Sequence, residues 1–71
     1  MTYARREAIM SKDIISTSEV AELLGKSVSQ ASRIVNDIKA SIELSGRKPR
    51  INERGKIHTQ DYCDYYQIER R

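Results

Sequence analysis

Residues 17–44 read TSEVAELLGKSVSQASRIVNDIKASIEL, and this stretch decides the fold. Its first part has the apolar spacing of one short helix, carried by Val20, Leu23 and Leu24. Either Thr17 or Ser18 is expected to cap that helix, because a hydroxyl oxygen accepts a hydrogen bond from a free backbone N–H. Gly25 is expected to end it, since glycine takes a positive φ without a Cβ clash.

A longer helix is expected to follow almost at once, from Val28 to Leu44. Ser27 comes two residues after the glycine and is a suitable N-cap. Apolar residues then recur at helical spacing along the segment, at Ala31, Ile34, Val35, Ile38 and Ile42. We interpret this stripe as core packing, with Ser45-Gly46 ending the helix. The stretch thus predicts two helices joined by a short turn.

The residues before these two helices carry weaker signals. Thr2 is a candidate N-cap for a short helix through Met10, and the alternative for residues 1–13 is a frayed N-terminal segment. Residues 14–16 (Ile-Ile-Ser) are short and largely β-branched, which favours one brief edge strand. We assign residues 14–71 to a single domain.

The segment after the long helix predicts a β-hairpin and a final helix. Pro49 cannot continue a helix, and two short strands near 49–52 and 56–59 are expected around a turn at residues 53–55. Thr59 is the expected N-cap of the last helix. The residues of that helix expected to face inward are Tyr62, Cys63, Tyr66 and, as a further candidate, Ile68. At its C-terminal end we expect Arg70 and Arg71.

The composition excludes several classes of protein. The chain has 71 residues with one cysteine and one histidine, Cys63 and His58. These cannot supply the four N or S ligands of a structural zinc site, and one thiol cannot form a disulfide within the chain. We interpret His58 as a strand-end residue and Cys63 as a packed thiol, although Asp61 and Asp64 lie near them. With no glycine-rich phosphate loop, we expect no cofactor and no enzymatic activity.

The apolar runs are too short for a membrane span or a signal peptide. A lone thiol also fits a reducing cytosol. We therefore expect a cytoplasmic protein without a membrane partner.

The positive charge is concentrated in residues 47–56, here called the basic segment. It has five basic residues and one acidic residue, a net charge of +4, whereas the whole chain has a net charge of +3. The basic residues are Arg47, Lys48, Arg50, Arg54 and Lys56. A basic loop of this kind can contact DNA phosphates or enter the minor groove, and Arg54 is the best candidate for insertion. The alternative is a solubilising exposed hairpin.

The side of the long helix opposite its apolar stripe carries mostly short polar residues. Ser29, Arg33, Asn36 and Ala40 lie on it, and Gln30 and Ser32 border it. Such side chains can approach base edges in the major groove, because none is acidic. Asp37 and Glu43 lie toward the flanks and the C-terminal half, so we expect the N-terminal half to enter the groove. For each polar residue alone the alternative is a solvated helix face.

The letters from Ala21 to Asn36 resemble the helix-turn-helix of bacterial repressors, especially the lactose-repressor type. In that family a small residue lies four before the turn glycine, a serine caps the second helix, and a Ser-Arg-apolar-Val-Asn run follows. The matching positions here are Ala21, Gly25, Ser27 and residues 32–36. Lys26 departs from the pattern, since the family usually has an apolar residue there.

The repressor resemblance implies roles for single residues. It places Val28, Ser29 and Arg33 at base-reading positions, and Ser27 and Asn36 at positions that touch the sugar-phosphate backbone. The full set of candidate DNA-binding residues is Ser27, Val28, Ser29, Gln30, Ser32, Arg33, Asn36, Arg47, Lys48, Arg50, Arg54 and Lys56.

The order of elements resembles the winged helix-turn-helix (MerR-like) fold of phage and transposon excisionases. The expected fold class is therefore mainly α with a small β-hairpin. The resemblance implies a partner in double-stranded DNA, and an excisionase-like recombination factor or a transcriptional regulator of a mobile element. An integrase or further copies of the chain are also candidate partners, with Tyr65 as a contact. The alternative is a protein-interaction module, an antirepressor or assembly adaptor that has the fold without DNA binding.

Overall fold

The computed structural model describes residues 2–68, which form four α-helices and a small two-stranded antiparallel sheet. The elements in chain order are α1 (Tyr3–Met10), β1 (Ile14–Ser16), α2 (Thr17–Leu24), α3 (Val28–Leu44), β2 (Lys56–His58) and α4 (Thr59–Tyr66). The first residues were expected to form either a short helix or a frayed segment, and the structure shows the short helix. Thr2 is its N-cap, with its hydroxyl accepting a hydrogen bond from the Arg5 N–H at 3.2 Å.

The helix α2 is capped one residue earlier than expected. Ser16, the last residue of β1, is the N-cap, and its hydroxyl accepts from the Glu19 N–H at 3.2 Å. The Glu19 side chain accepts from the Ser16 N–H at 3.0 Å, which completes a capping box. The prediction of Thr17 or Ser18 was wrong because residue 16 is still extended, as an N-cap must be. Gly25 ends the helix at φ +65°, as predicted.

The helix α3 has the predicted bounds and the predicted N-cap. Ser27 and Gln30 form a second capping box. The helix ends at Ser45, and Gly46 follows it at φ +84°. Four of the five stripe residues are buried, namely Ala31, Val35, Ile38 and Ile42, and Ile34 is partly buried against them.

The predicted hairpin within residues 49–59 is wrong. The strand β2 pairs with β1 instead, with Ile15 opposite Ile57 and both side chains buried. Residues 49–52 form no strand. Pro49 has no N–H to donate, and the Arg50 N–H is already used by the Asp61 carboxylate of α4 at 2.9 Å. The sheet therefore joins two segments that are distant in the sequence.

The helix α4 begins directly after β2, and its cap also differs from the prediction. His58 is the N-cap, with Nδ1 accepting from the Gln60 N–H at 3.0 Å. Thr59 is already helical, and its own N–H donates to the Asp13 carbonyl at 2.8 Å. The helix ends at Gln67, which has φ +55°. Arg70 and Arg71 lie outside the described residues.

The hydrophobic core lies between the sheet and the four helices. Its buried members are Ile9, Ile15, Val20, Ala21, Ala31, Val35, Ile38, Ile42, Ile57, Tyr62 and Cys63. Tyr62 is 1% exposed, and burial together with the nearby Tyr66 raises the pKa of its phenol. Tyr66 itself is 37% exposed, so it lies at the edge of the core rather than inside it. Ile68 packs partly against the same cluster.

Within residues 2–68, no helix combines the length and the apolar character needed to cross a membrane.

Candidate nucleic-acid interface

The turn between α2 and α3 is closed by backbone hydrogen bonds. The Lys26 N–H donates to the Ala21 carbonyl at 3.0 Å, across a glycine in the left-handed conformation. Ala21 and Ala31 are both buried, and small side chains at these positions allow the two helices to pack closely. Lys26 is exposed, so this turn does not need the apolar residue that the repressor pattern has there.

The N-terminal half of α3 presents a polar face to solvent. All twelve sequence-predicted site residues are exposed. Five of those on α3 make no side-chain hydrogen bond or ion pair within residues 2–68, and we call them the exposed face of α3: Val28, Ser29, Ser32, Arg33 and Asn36. Val28 is 55% exposed although it is apolar. These side chains are free to contact a partner.

Ser27 and Gln30 are more constrained than the rest of the helix. The Ser27 hydroxyl accepts from the Gln30 N–H at 3.2 Å, and Gln30 Oε1 accepts from the Ser27 N–H at 3.2 Å. The Ser27 hydroxyl also lies 3.3 Å from Gln30 Oε1. The amide oxygen of Gln30 is therefore committed to the helix N-terminus, and its amide NH₂ remains to donate outward.

The basic segment is a loop that is attached to three helices. The Arg50 N–H donates to Asp61 Oδ2 on α4 at 2.9 Å. Lys39 Nζ on α3 donates to the Glu53 carbonyl at 2.7 Å. At the start of α2, the N–H and the hydroxyl of Thr17 both donate to the Gly55 carbonyl at 3.0 Å. The loop is held in one shape although residues 47–55 form no strand.

The five cations of the basic segment are in different environments. Arg50 forms an ion pair with Asp61 and lies 3.5 Å from the Asp64 carboxylate. Lys56 Nζ lies 3.2 Å from the Glu53 carboxylate, and Arg47 Nε lies 3.4 Å from the Ser45 hydroxyl. The two cations without a side-chain partner in the described chain are Lys48 and Arg54. Most of the charge available to an anion therefore comes from Arg47, Lys48 and Arg54.

The exposed face of α3 and the basic segment are close together. Lys39 lies three residues after Asn36, so both are on the same flank of the helix. The Lys39 bond to the Glu53 carbonyl brings the neighbouring Arg54 to that flank. The backbone of the basic segment next to Arg54 is thus held beside the exposed face of α3.

Sequence reasoning missed the role of Asp61. The residue was interpreted only as a neighbour of His58 and Cys63, whereas it is 3% exposed and binds Arg50. One available signal was the spacing of Asp61 and Asp64, which places two carboxylates on one face of the helix opposite a cationic segment. Its burial has no local sequence signal.

The two acidic residues of α2 are paired with basic residues of α1 and of the turn that follows α1. The Arg5 guanidinium lies 2.8 Å from the Glu22 carboxylate, and Lys12 Nζ lies 2.6 Å from that of Glu19. The hydrogen bond that the Arg5 guanidinium donates to the Glu22 carboxylate raises the pKa of Arg5. Burial would raise the pKa of Glu19, but the bonds from Lys12 and Ser16 together lower it below its ordinary value. Both carboxylates of α2 are thus paired with cations that precede β1.

The residues around His58 do not form a metal site. His58 Nδ1 serves as the cap of α4, and Cys63 is buried in the core. No group of three or more His, Cys, Asp or Glu residues in the part of the chain described is placed to hold a metal ion.

A comparison of the chain with protein-family models, with curated proteins and with solved structures finds no significant match.

Proposed function

We propose that this protein binds double-stranded DNA through a winged helix-turn-helix surface. In this arrangement the N-terminal half of α3 enters the major groove, and the basic segment contacts phosphates beside it or the minor groove. The observation that carries the proposal is that Lys39, on the flank of α3 beside Asn36, donates to the Glu53 carbonyl at 2.7 Å and so holds the backbone next to Arg54 beside the exposed face of α3. A loop attached to the helices replaces the expected β-hairpin as the wing.

The chemistry of the exposed face supports a division of roles. Arg33 is the long basic side chain on this face, and a guanidinium can donate to both O6 and N7 of guanine. The hydroxyls of Ser29 and Ser32 can donate or accept, and Val28 can contact a thymine methyl. Lys48 and Arg54 supply attraction that does not depend on base sequence.

The proposal is tested by measuring affinity for duplex DNA as a function of salt. Wild-type protein should bind random duplex at low salt, and the logarithm of its affinity should fall linearly with the logarithm of salt concentration, because phosphate contacts release counterions. No binding at micromolar protein, or a flat slope, would contradict the proposal. Stable capture of a partner protein would then favour the interaction-module alternative.

The recognition helix is tested by Arg33→Ala on a duplex selected for tight binding. The variant should weaken binding to the selected duplex by about 1–3 kcal/mol and to random duplex by less, since a base contact is lost. Arg5→Gln is the charge-matched control, because Arg5 lies on α1 and is paired with Glu22 at 2.8 Å. It should leave base preference unchanged. Equal losses on both duplexes for Arg33→Ala would overturn the assignment of α3 as the reading helix.

We further propose that the biological output is excisionase-like recombination or regulation of a mobile element. The small size and the order of two helices followed by a basic loop support this role. Excision and repression are distinguished by adding the protein to an integrase reaction on its excision substrate and, separately, to transcription from a promoter that contains the selected site. An effect in neither reaction would contradict the proposal.

A further inference from the structure

Asp61 is a nearly fully buried carboxylate on α4. It is 3% exposed, and both of its oxygens are used by one residue of the basic segment. Oδ2 accepts from the Arg50 N–H at 2.9 Å, and Oδ1 accepts from the Arg50 guanidinium. A buried carboxylate is costly unless it is paired and hydrogen-bonded. The folded state therefore favours keeping Arg50 against α4.

This contact lies in the middle of the least supported part of the basic segment. Among the described residues, those between Arg47 and Glu53 make no other hydrogen bond to a helix. A loop that is fixed only at its ends samples many backbone shapes, and each ordered residue costs conformational entropy on binding. Asp61 removes that freedom at the centre of the loop before any ligand arrives.

We propose that Asp61 is the positioning residue that holds the basic segment in its DNA-binding shape. The inference rests on the DNA binding proposed above. Asp61 itself touches no DNA, and the cation that it binds is partly neutralised. Its contribution is to fix the backbone that carries Lys48 on one side and Arg54 on the other, so that these cations meet phosphates without a further ordering cost.

The direction in which an Asp61 substitution changes DNA affinity distinguishes a positioning role from simple electrostatics. Replacing an acidic residue by alanine makes the protein more positive, and charge alone predicts tighter binding to DNA. Asp61→Ala also removes one of the two carboxylates beside the Arg50 guanidinium and leaves only Asp64 at 3.5 Å, which adds a second reason for tighter binding. Positioning predicts the opposite, because the loop gains freedom that DNA binding must remove.

The experiment compares Asp61→Ala with Glu43→Ala on random duplex across a salt series. Glu43 is a matched control because it is an exposed acid on α3, lines the same groove as Lys48 and Arg50, and has no ion pair among residues 2–68. Asp61→Ala should lower affinity about three- to tenfold, as expected when a few immobilised groups become mobile. Its salt slope should also become shallower. Glu43→Ala should bind as tightly as wild type or more tightly.

Each outcome bears on one proposal. If Asp61→Ala is folded by circular dichroism and binds as tightly as wild type, the positioning role is overturned while DNA binding stands. If wild-type protein binds no duplex at low salt, the proposed function itself is wrong.

A measurement on the wild-type protein covers the case in which Asp61→Ala does not fold. Hydrogen exchange of the Arg50 amide should be protected relative to the amides of Lys48 and Ile51, because only the Arg50 N–H has a carboxylate partner. Equal exchange of the three amides would show that the attachment does not hold the loop and would overturn the inference.

Discussion

The amide oxygen of Gln30 is committed to the N-terminus of α3, and this limits what the residue can do on DNA. A glutamine that reads adenine needs both its oxygen and its NH₂ group. In this protein Oε1 already accepts from the Ser27 N–H at 3.2 Å. Gln30 can therefore donate to a phosphate or to one base acceptor, but reading adenine would break the capping box. In the proposed DNA-binding mode, specific base contacts then fall to Arg33 and the short side chains near it.

This restriction gives a prediction for two substitutions of Gln30. Gln30→Ala should lower the free energy of unfolding by about 0.5–1.5 kcal/mol, the usual value of one hydrogen bond, and should leave base preference unchanged. Gln30→Glu should retain the cap and weaken binding to all duplexes alike, because it adds a negative charge near phosphate. Urea denaturation and selection from a randomised duplex pool measure the two effects. A change in preferred base at one position in Gln30→Ala would show that Gln30 does read DNA.

At the scale of elements, the turn between α2 and α3 depends on one backbone conformation. Gly25 has φ +65°, and a Cβ added there would meet no atom within 4 Å. The cost of a substitution is therefore backbone strain rather than a clash. Gly25→Ala should be destabilised by about 1–2 kcal/mol in urea denaturation, the cost of the left-handed conformation for an L-residue.

Gly25→Asn is the matched control, because asparagine visits the left-handed region more readily than alanine. It should lose less stability than Gly25→Ala. If the two variants were equally destabilised, the strain explanation would be wrong.

The elements that sequence reasoning found are those with local signals. The bounds of α3 follow from Ser27, from the apolar stripe and from Gly46, all of which lie within or next to the helix. The pairing of β2 could not be found in this way. Its partner β1 is about forty residues earlier, and several extended segments with isoleucine could pair equally well by local criteria. The N-caps of α2 and α4 were both predicted too late in the sequence, since a strand residue serves as the cap in both cases.

In the candidate site, too, features with local sequence signals were predicted and long-range contacts were not. Four of the five residues of the exposed face of α3 were predicted from helical periodicity, because a side chain opposite a buried stripe must face solvent, whereas Val28 was predicted from the repressor resemblance. The attachments of the basic segment were not predicted. They involve Asp61, Lys39 and Thr17, and no spacing within the segment identifies partners on three different helices.

At the scale of the whole molecule, dimensions limit how much DNA one copy can read. The described residues measure 35 × 28 × 19 Å, and the longest dimension matches about ten base pairs of B-DNA at about 3.4 Å each. In the proposed DNA-binding mode the N-terminal half of α3 enters the groove, so one copy would contact few bases. Single modules of this size bury modest area on DNA, and specific regulators generally combine two or more of them on adjacent sites.

We therefore predict that binding depends on duplex length in steps. A duplex of about 12 base pairs should bind one copy, and one of about 24 base pairs should bind two, because each copy covers about one helical turn. Native mass spectrometry gives the stoichiometry, and fluorescence anisotropy gives the affinity. Two neighbouring copies that touch through surfaces such as the exposed Tyr65 should bind the duplex more tightly than single copies do. Tyr65→Ala should remove that gain in affinity without changing the affinity of one copy. If both the short and the long duplex bound a single copy, one chain would occupy more DNA than its dimensions can cover by direct contact. That result would contradict the prediction.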